Sequence, residues 1–195
     1  MKTHIVTEGK VEAALLERLV QCHPVLRERV IKMHPTNNRS SANRTARTLL
    51  VLRHEPVAHI SNPETLSPEL LAERRGFLEW RLAEAGPPED WLVVDVPPTT
   101  AVLLFRDDEL MRAILPGELS LEDRIRGRYE PDAVLTELFA RAGEGPFPDA
   151  LIQRIARADL SRLWRLEVLQ PLEAFLLRVS RTEEPGRQEG LLPTC

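Results

Sequence analysis

The chain has 195 residues, 43% of them hydrophobic and 29% charged, with a formal net charge of −4. That is enough chain of ordinary composition to bury a core, and its acidic balance excludes a broadly basic coat for nucleic acid while leaving room for a local basic patch. No apolar run approaches the roughly 18 residues that span a bilayer, and the opening MKTHIVTEGK lacks the apolar centre of a secretory signal. The expected compartment is the cytoplasm, with no membrane partner. Two cysteines, Cys22 and Cys195, make neither a disulfide framework nor a metal-ligand spacing.

In chain order, Ile5 to Thr7 reads as a short buried strand. It runs into Glu8-Gly9-Lys10 and then a helix whose buried face is Val11, Ala14, Leu15, Leu19 and Val20. Pro24 ends that helix. Residues 30–34 alternate as a second strand, and the turn at residues 35–38 leads to a helix capped by Ser40 or Ser41. Arg39, Arg44 and Arg47 lie at its start. They are either a solvated helix face or a phosphate-facing cluster beside a strand end. Residues 56–60 form a third strand, closed by Ser61-Asn62-Pro63-Glu64-Thr65. Ser67 and Pro68 then open a long helix to residue 85, with Leu70, Leu71, Phe77, Leu78 and Leu82 as its apolar stripe. Residues 91–96 are the fourth strand. Beyond Thr99 strand signals stop and short helices follow to Val179. Residues 181–195 are polar, with Pro and Gly, as in a mobile tail.

This order predicts an α/β fold: a mostly parallel four-stranded sheet with helices on both faces, followed by an all-helical C-terminal cap. The expected boundaries are 1–106 for the α/β domain, 107–180 for the helical extension packed on it, and 181–195 for the tail. Ligands of such sheets bind at the carboxyl ends of the strands, where Glu8, the Asn62–Glu64 turn and Asp95 all fall.

Three segments together resemble the Toprim-like domain of type IA topoisomerases, primases and overcoming-lysogenisation-defect nucleases, and most of all its small stand-alone bacterial relatives. The first is the strand ending in Glu8-Gly9, followed by a helix. The second is the strand ending at Ser61, where the family's paired aspartates fall on Asn62 and Glu64. The third is Val96-Pro97-Pro98 before an apolar helix, where a family glutamate falls on Thr100. The likeness covers roughly residues 3–110.

In that family the lone glutamate acts as general acid or base or as a ligand, and the aspartates hold Mg²⁺, which neutralises phosphate charge and orients the reacting oxygens. The resemblance thus implies a metal set of Glu8, Asn62, Glu64 and Asp95, with Lys10, Arg39, Arg44 and Arg47 toward phosphates, and an ATPase as partner protein. The replacements at Asn62 and Thr100 remove two carboxylates, so any Mg²⁺ is expected to be weak. Three readings follow. One is a catalytically weakened or inactive scaffold, acting as a binding or assembly subunit in a nucleic-acid-processing or defence system. Another is an active Mg²⁺-dependent nuclease using Glu8 and Glu64. The third is an α/β domain whose glutamates only cap helices, Glu8 through the amides after Gly9 and Glu64 at the positive end of the next helix, and whose role lies in homo-oligomerisation. Lys10 follows a single glycine rather than a phosphate-binding loop, so nucleotide hydrolysis by this chain is not expected.

Overall fold

The computed structural model describes residues 2–143, 145 and 147–180; the expected tail, 181–195, lies outside them. Four parallel strands, β1 (Thr3–Thr7), β2 (Ile31–Pro35), β3 (Val57–Ser61) and β4 (Trp91–Asp95), form one sheet in the order β2-β1-β3-β4. The sheet is wholly parallel. Its register places Val6 beside His34 on one side and His59 on the other, and Ser61 beside Asp95.

The central strands are apolar throughout because both of their faces are covered. Successive residues alternate between two cores. Ile5, Ala58, Ile60 and Val94 face one side, where α1 (Lys10–Gln21) and the C-terminal helices pack. Val6, Val57 and Val93 face the other, against α2 (Arg39–Thr48), a π-helical turn (Leu49–Arg53) and α3 (Pro68–Ala83). Helices therefore lie on both faces.

Local chemistry sets the helix starts, with two corrections. α2 is capped by Asn38, whose side chain accepts from the Ser41 amide at 2.9 Å, and not by Ser40 or Ser41. At α1 the N-cap is Gly9, with no side-chain cap, so Glu8 does not cap that helix. α3 starts as expected, Ser67 capping it with Pro68 in the first turn. Its expected stripe is buried only at Leu78 and Leu82, whereas Leu70 and Phe77 face solvent.

The C-terminal cap shares its core with the sheet. The 3₁₀ turn Thr100–Phe105 is buried along its whole length, and α4 (Asp108–Ile114), α5 (Leu121–Arg126), α6 (Pro131–Ala142), α7 (Asp149–Ile155) and α8 (Gln170–Val179) follow. One apolar cluster runs from Ile5 through Phe105 and Phe139 to Val179. The Trp164 indole N–H donates to the Leu19 carbonyl at 3.1 Å and Arg18 Nε to that of Ala158 at 2.7 Å, tying the cap to α1. At the amino ends of the strands, Ser180 Oγ lies 3.0 Å from Thr3 Oγ1, and Arg29 donates to the Ser180 carbonyl at 2.9 Å. Among the described residues no helix is long and apolar enough to cross a membrane.

Gly127, just after α5, faces the fully buried Phe105 ring so closely that a Cβ there would overlap the ring carbons. Gly127→Ala is therefore expected to destabilise the whole chain by about 1–3 kcal/mol through overpacking. Urea unfolding followed by far-UV circular dichroism checks this, and an unchanged midpoint would refute a rigid contact between Gly127 and the Phe105 ring.

Candidate functional site at the strand ends

The connection after β1 runs to β2 on one side and the connection after β3 runs to β4 on the other, so the crevice at that reversal lies over the carboxyl ends of β1 and β3. Glu8 follows β1 directly and Asn62 follows β3 directly. Two loops distant in sequence thus meet there, with Glu64 on the second.

Arg39, the first residue of α2, occupies the middle of this crevice. Its Nη2 donates to the Asn62 carbonyl at 2.8 Å. The same nitrogen lies 3.6 Å from Glu64 Oε2, and Nε lies 3.4 Å from Glu8 Oε1. The Glu8 side chain is 9% exposed and that of Glu64 is 70% exposed, so the guanidinium joins a buried carboxylate to a surface one. Glu64 is held in left-handed backbone (φ 54°), its amide donating to the Pro98 carbonyl at 2.8 Å. Its carboxylate turns to Arg39 rather than to the start of α3.

Burial pushes the Glu8 carboxyl up from 4.5 to about 7, further raised by the Glu64 charge and opposed by Arg39 and by the Asn62 backbone amide. Glu8 Oε1 and Arg39 Nε are close as charges, yet neither completes a hydrogen bond. His59 on β3 lies just below. It is wholly buried, both ring nitrogens lack a partner, and burial with the nearby Arg39 charge lowers it to about 4, which keeps the ring neutral. Buried polar atoms without partners are rare, and here several gather under one strand edge.

Asn62 is locked in place. Its Oδ1 accepts from the Thr100 amide at 2.8 Å and the Thr100 hydroxyl at 2.7 Å, and its Nδ2 donates to Glu12 Oε1 at 2.6 Å. Glu12, on the first turn of α1, is itself raised by burial, with Asn62 opposing. A side chain at Gly9 would collide with the Glu12 carboxylate, so the glycine lets Glu12 reach back over the loop. Sequence reasoning passed over Glu12; its place one turn beyond Glu8 was the available signal.

The expected metal set does not assemble. Both acceptor positions of the Asn62 amide oxygen are taken by Thr100, and Glu8 and Glu64 converge on a guanidinium. Asp95, at the end of β4, is held 3.7 Å from Arg75 of α3; burial raises its pKa, opposed by Arg75 and Ser61. Among the described residues no three His, Cys, Asp or Glu side chains stand together as a metal site. This donor set does not fit Mg²⁺, which prefers several hard, charged oxygens at short range.

The expected phosphate-facing residues also separate. Arg39 serves the crevice. Arg44 and Arg47 line a groove between α2, the π-helical turn and α3, where Arg47 pairs with Glu84 at 3.6 Å. Lys10 is exposed at the start of α1, beside β2.

The Glu8 shift has a definite sign. The native chain keeps a proton that the unfolded chain releases near 4.5, so the Glu8 contribution to stability falls as pH rises from about 4.5 to about 7 and is level above that. Carboxyl carbon NMR is expected to show Glu8 titrating near pH 7. Glu8→Gln should flatten that part of the stability profile, and a Glu8 titration at the ordinary carboxylate value would overturn the assignment. Compared with known proteins, the chain matches no family model, no curated protein and no solved structure.

Proposed function

We propose that this chain is a Toprim-like protein whose acidic centre is neutralised from within, and that it acts by binding rather than by cutting, as a subunit of a nucleic-acid-processing or defence system. The observation that supports this reading is the Arg39 guanidinium, set among Glu8, Glu64 and the Asn62 carbonyl. A fixed organic cation there balances the carboxylates that a divalent ion would otherwise balance. Asn62 and Thr100, the two departures from the family's acidic pattern, hydrogen-bond to each other, so both lost carboxylates are accounted for by one neutral contact. On this reading Arg44 and Arg47, in their groove on α2, meet nucleic-acid phosphates, and the ATPase partner is the protein expected from the resemblance.

One observation favours the second reading, a Mg²⁺-dependent nuclease: a carboxyl group titrating near 7 is suited to general acid–base catalysis. The two readings separate in a single assay. The full chain is incubated with labelled single- and double-stranded DNA and RNA in Mg²⁺ or Mn²⁺. The expected result is binding without cleavage, the affinity dropping about tenfold in Arg44→Glu/Arg47→Glu and weakening with salt. Cleavage that disappears with chelator and in Glu8→Ala would establish the nuclease. Absence of both binding and cleavage would remove nucleic acid from the proposal.

Restoring the family's acid is expected to harm the chain. Asn62→Asp replaces the donor to Glu12 with a second acceptor and sets two carboxylates side by side. The expected loss is about 1–3 kcal/mol at neutral pH, smaller at acid pH where the pair shares protons, with no gain in Mn²⁺ affinity by calorimetry.

A further inference from the structure

At the edge of the sheet, outside the Arg39 constellation, three side chains from three segments form a line of hydrogen bonds. His4 of β1 is wholly buried and shares a face of the sheet with Val6 and with His34 of the edge strand β2. Its Nε2 lies 2.7 Å from Glu55 Oε2, and its Nδ1 lies 2.8 Å from His34 Nε2. Glu55 is brought there by the π-helical turn, a rare element frequent at functional sites, and by His54, which follows it in left-handed backbone (φ 52°). The His4 hydrogen bond holds the Glu55 carboxyl below its ordinary range, so it is ionised. An ionised carboxylate only accepts, so His4 Nε2 carries a proton. With one proton on each ring, His4 Nδ1 accepts, His34 Nε2 donates to it, and His34 Nδ1 is left as a bare lone pair. Among the described residues that nitrogen has no hydrogen-bond partner, and unlike the two of His59 it is not sealed from solvent.

The charges around this nitrogen decide what it can meet. Burial, His4, Arg53 and Lys32 all lower the His34 pKa, with Glu55 opposing, so the ring is neutral near pH 7. Lys2 adds a further positive charge beside Glu55. A neutral ring with one nitrogen held and the other bare is a nucleophile oriented by a third group. Three cations against one carboxylate suit an anionic reagent better than a metal ion. The rings also meet end to end rather than converging, and among the described residues no three ligand side chains stand together.

We infer that His34 is a modification site, its Nδ1 accepting a phosphoryl group from an activated donor of the acyl phosphate class. The Nδ1 lone pair attacks phosphorus and a P–N bond forms. The P–O bond to the acyl group breaks, and its electron pair leaves on the released carboxylate. The attacked ring becomes positive. His34 Nε2 then passes its proton to His4 Nδ1, and His4 Nε2 passes its own to Glu55, which takes the charge off the ring. Lys32 and Arg53 offset the charge of the incoming phosphoryl oxygens. On this account His4 and Glu55 are positioning residues that fix the tautomer and drain the proton.

The full chain is incubated with acetyl phosphate near neutral pH, and the product is mapped by mass spectrometry and phosphorus NMR. The expected result is one phosphoryl group on His34, lost in acid and kept in alkali as a P–N bond is, with none on His54, which is exposed two residues before the third strand begins its approach. Glu55→Gln keeps an acceptor for His4 but removes the proton sink, and should slow labelling about tenfold or more in a chain that stays folded by circular dichroism. Nitrogen NMR of the unmodified chain should show His34 protonated at Nε2 and bare at Nδ1. The inference is overturned by no incorporation, by equal labelling of His54, by a His34 that labels as fast in urea as in the folded chain, by a rate unchanged in Glu55→Gln, or by a proton found on His34 Nδ1.

Discussion

Everything at the crevice depends on β1 being paired on both sides by parallel strands. Parallel neighbours cannot be joined by a tight turn, so each connection must travel back along a face of the sheet. The link from β2 to β3 passes over β1, and α2, which makes that passage, begins at the carboxyl end of β2. Its first residue therefore arrives beside the end of β1. Arg39 is that residue and Glu8 ends that strand, so the ion pair at the centre of the site follows from strand order as much as from side-chain chemistry.

The charges there are arranged to cancel. Glu8 is buried deeply enough that its ionised form is costly, and a guanidinium that also serves Glu64 and the Asn62 carbonyl relieves only part of the cost. The Asn62 amide, satisfied by Thr100 and Glu12, turns a position that could carry charge into a neutral brace between two loops. His59 beneath stays uncharged. The carboxylates of this site meet a guanidinium of their own chain, and Glu8 is poised near neutrality.

Much of the fold was legible in the sequence because buried parallel strands read as unbroken apolar runs. VAHIS and WLVVD could hardly be anything else between helices with clear start signals such as Ser67-Pro68. The meeting of Glu8 with the Asn62–Glu64 turn was legible for the same reason, since strand ends on one side of a parallel sheet share a rim. The contents of that rim were not. Arg39 looked equivalent to Arg44 and Arg47 in a polar helix, and only the tertiary course of α2 separates them. Asn38 displaced the serines as cap by a shift of the helix start that single-residue preference cannot resolve. In α3, apolar residues occupy more than one face, so periodicity alone could not tell which leucines and aromatics face the sheet; the structure buries Leu78 and Leu82 and leaves Leu70, Phe77 and Trp80 in solvent.

The latch between Thr3 and Ser180 lies at the amino ends of the strands, the rim opposite Glu8. The first and last described turns of chain are thus neighbours, on the side of the molecule away from the crevice. A short linker could join residue 180 to residue 3 and new ends could be opened in an exposed loop, giving a circular permutant in which the Arg39 constellation keeps every one of its contacts. Labels or surface tethers attached near either of these positions would likewise leave the crevice facing outward.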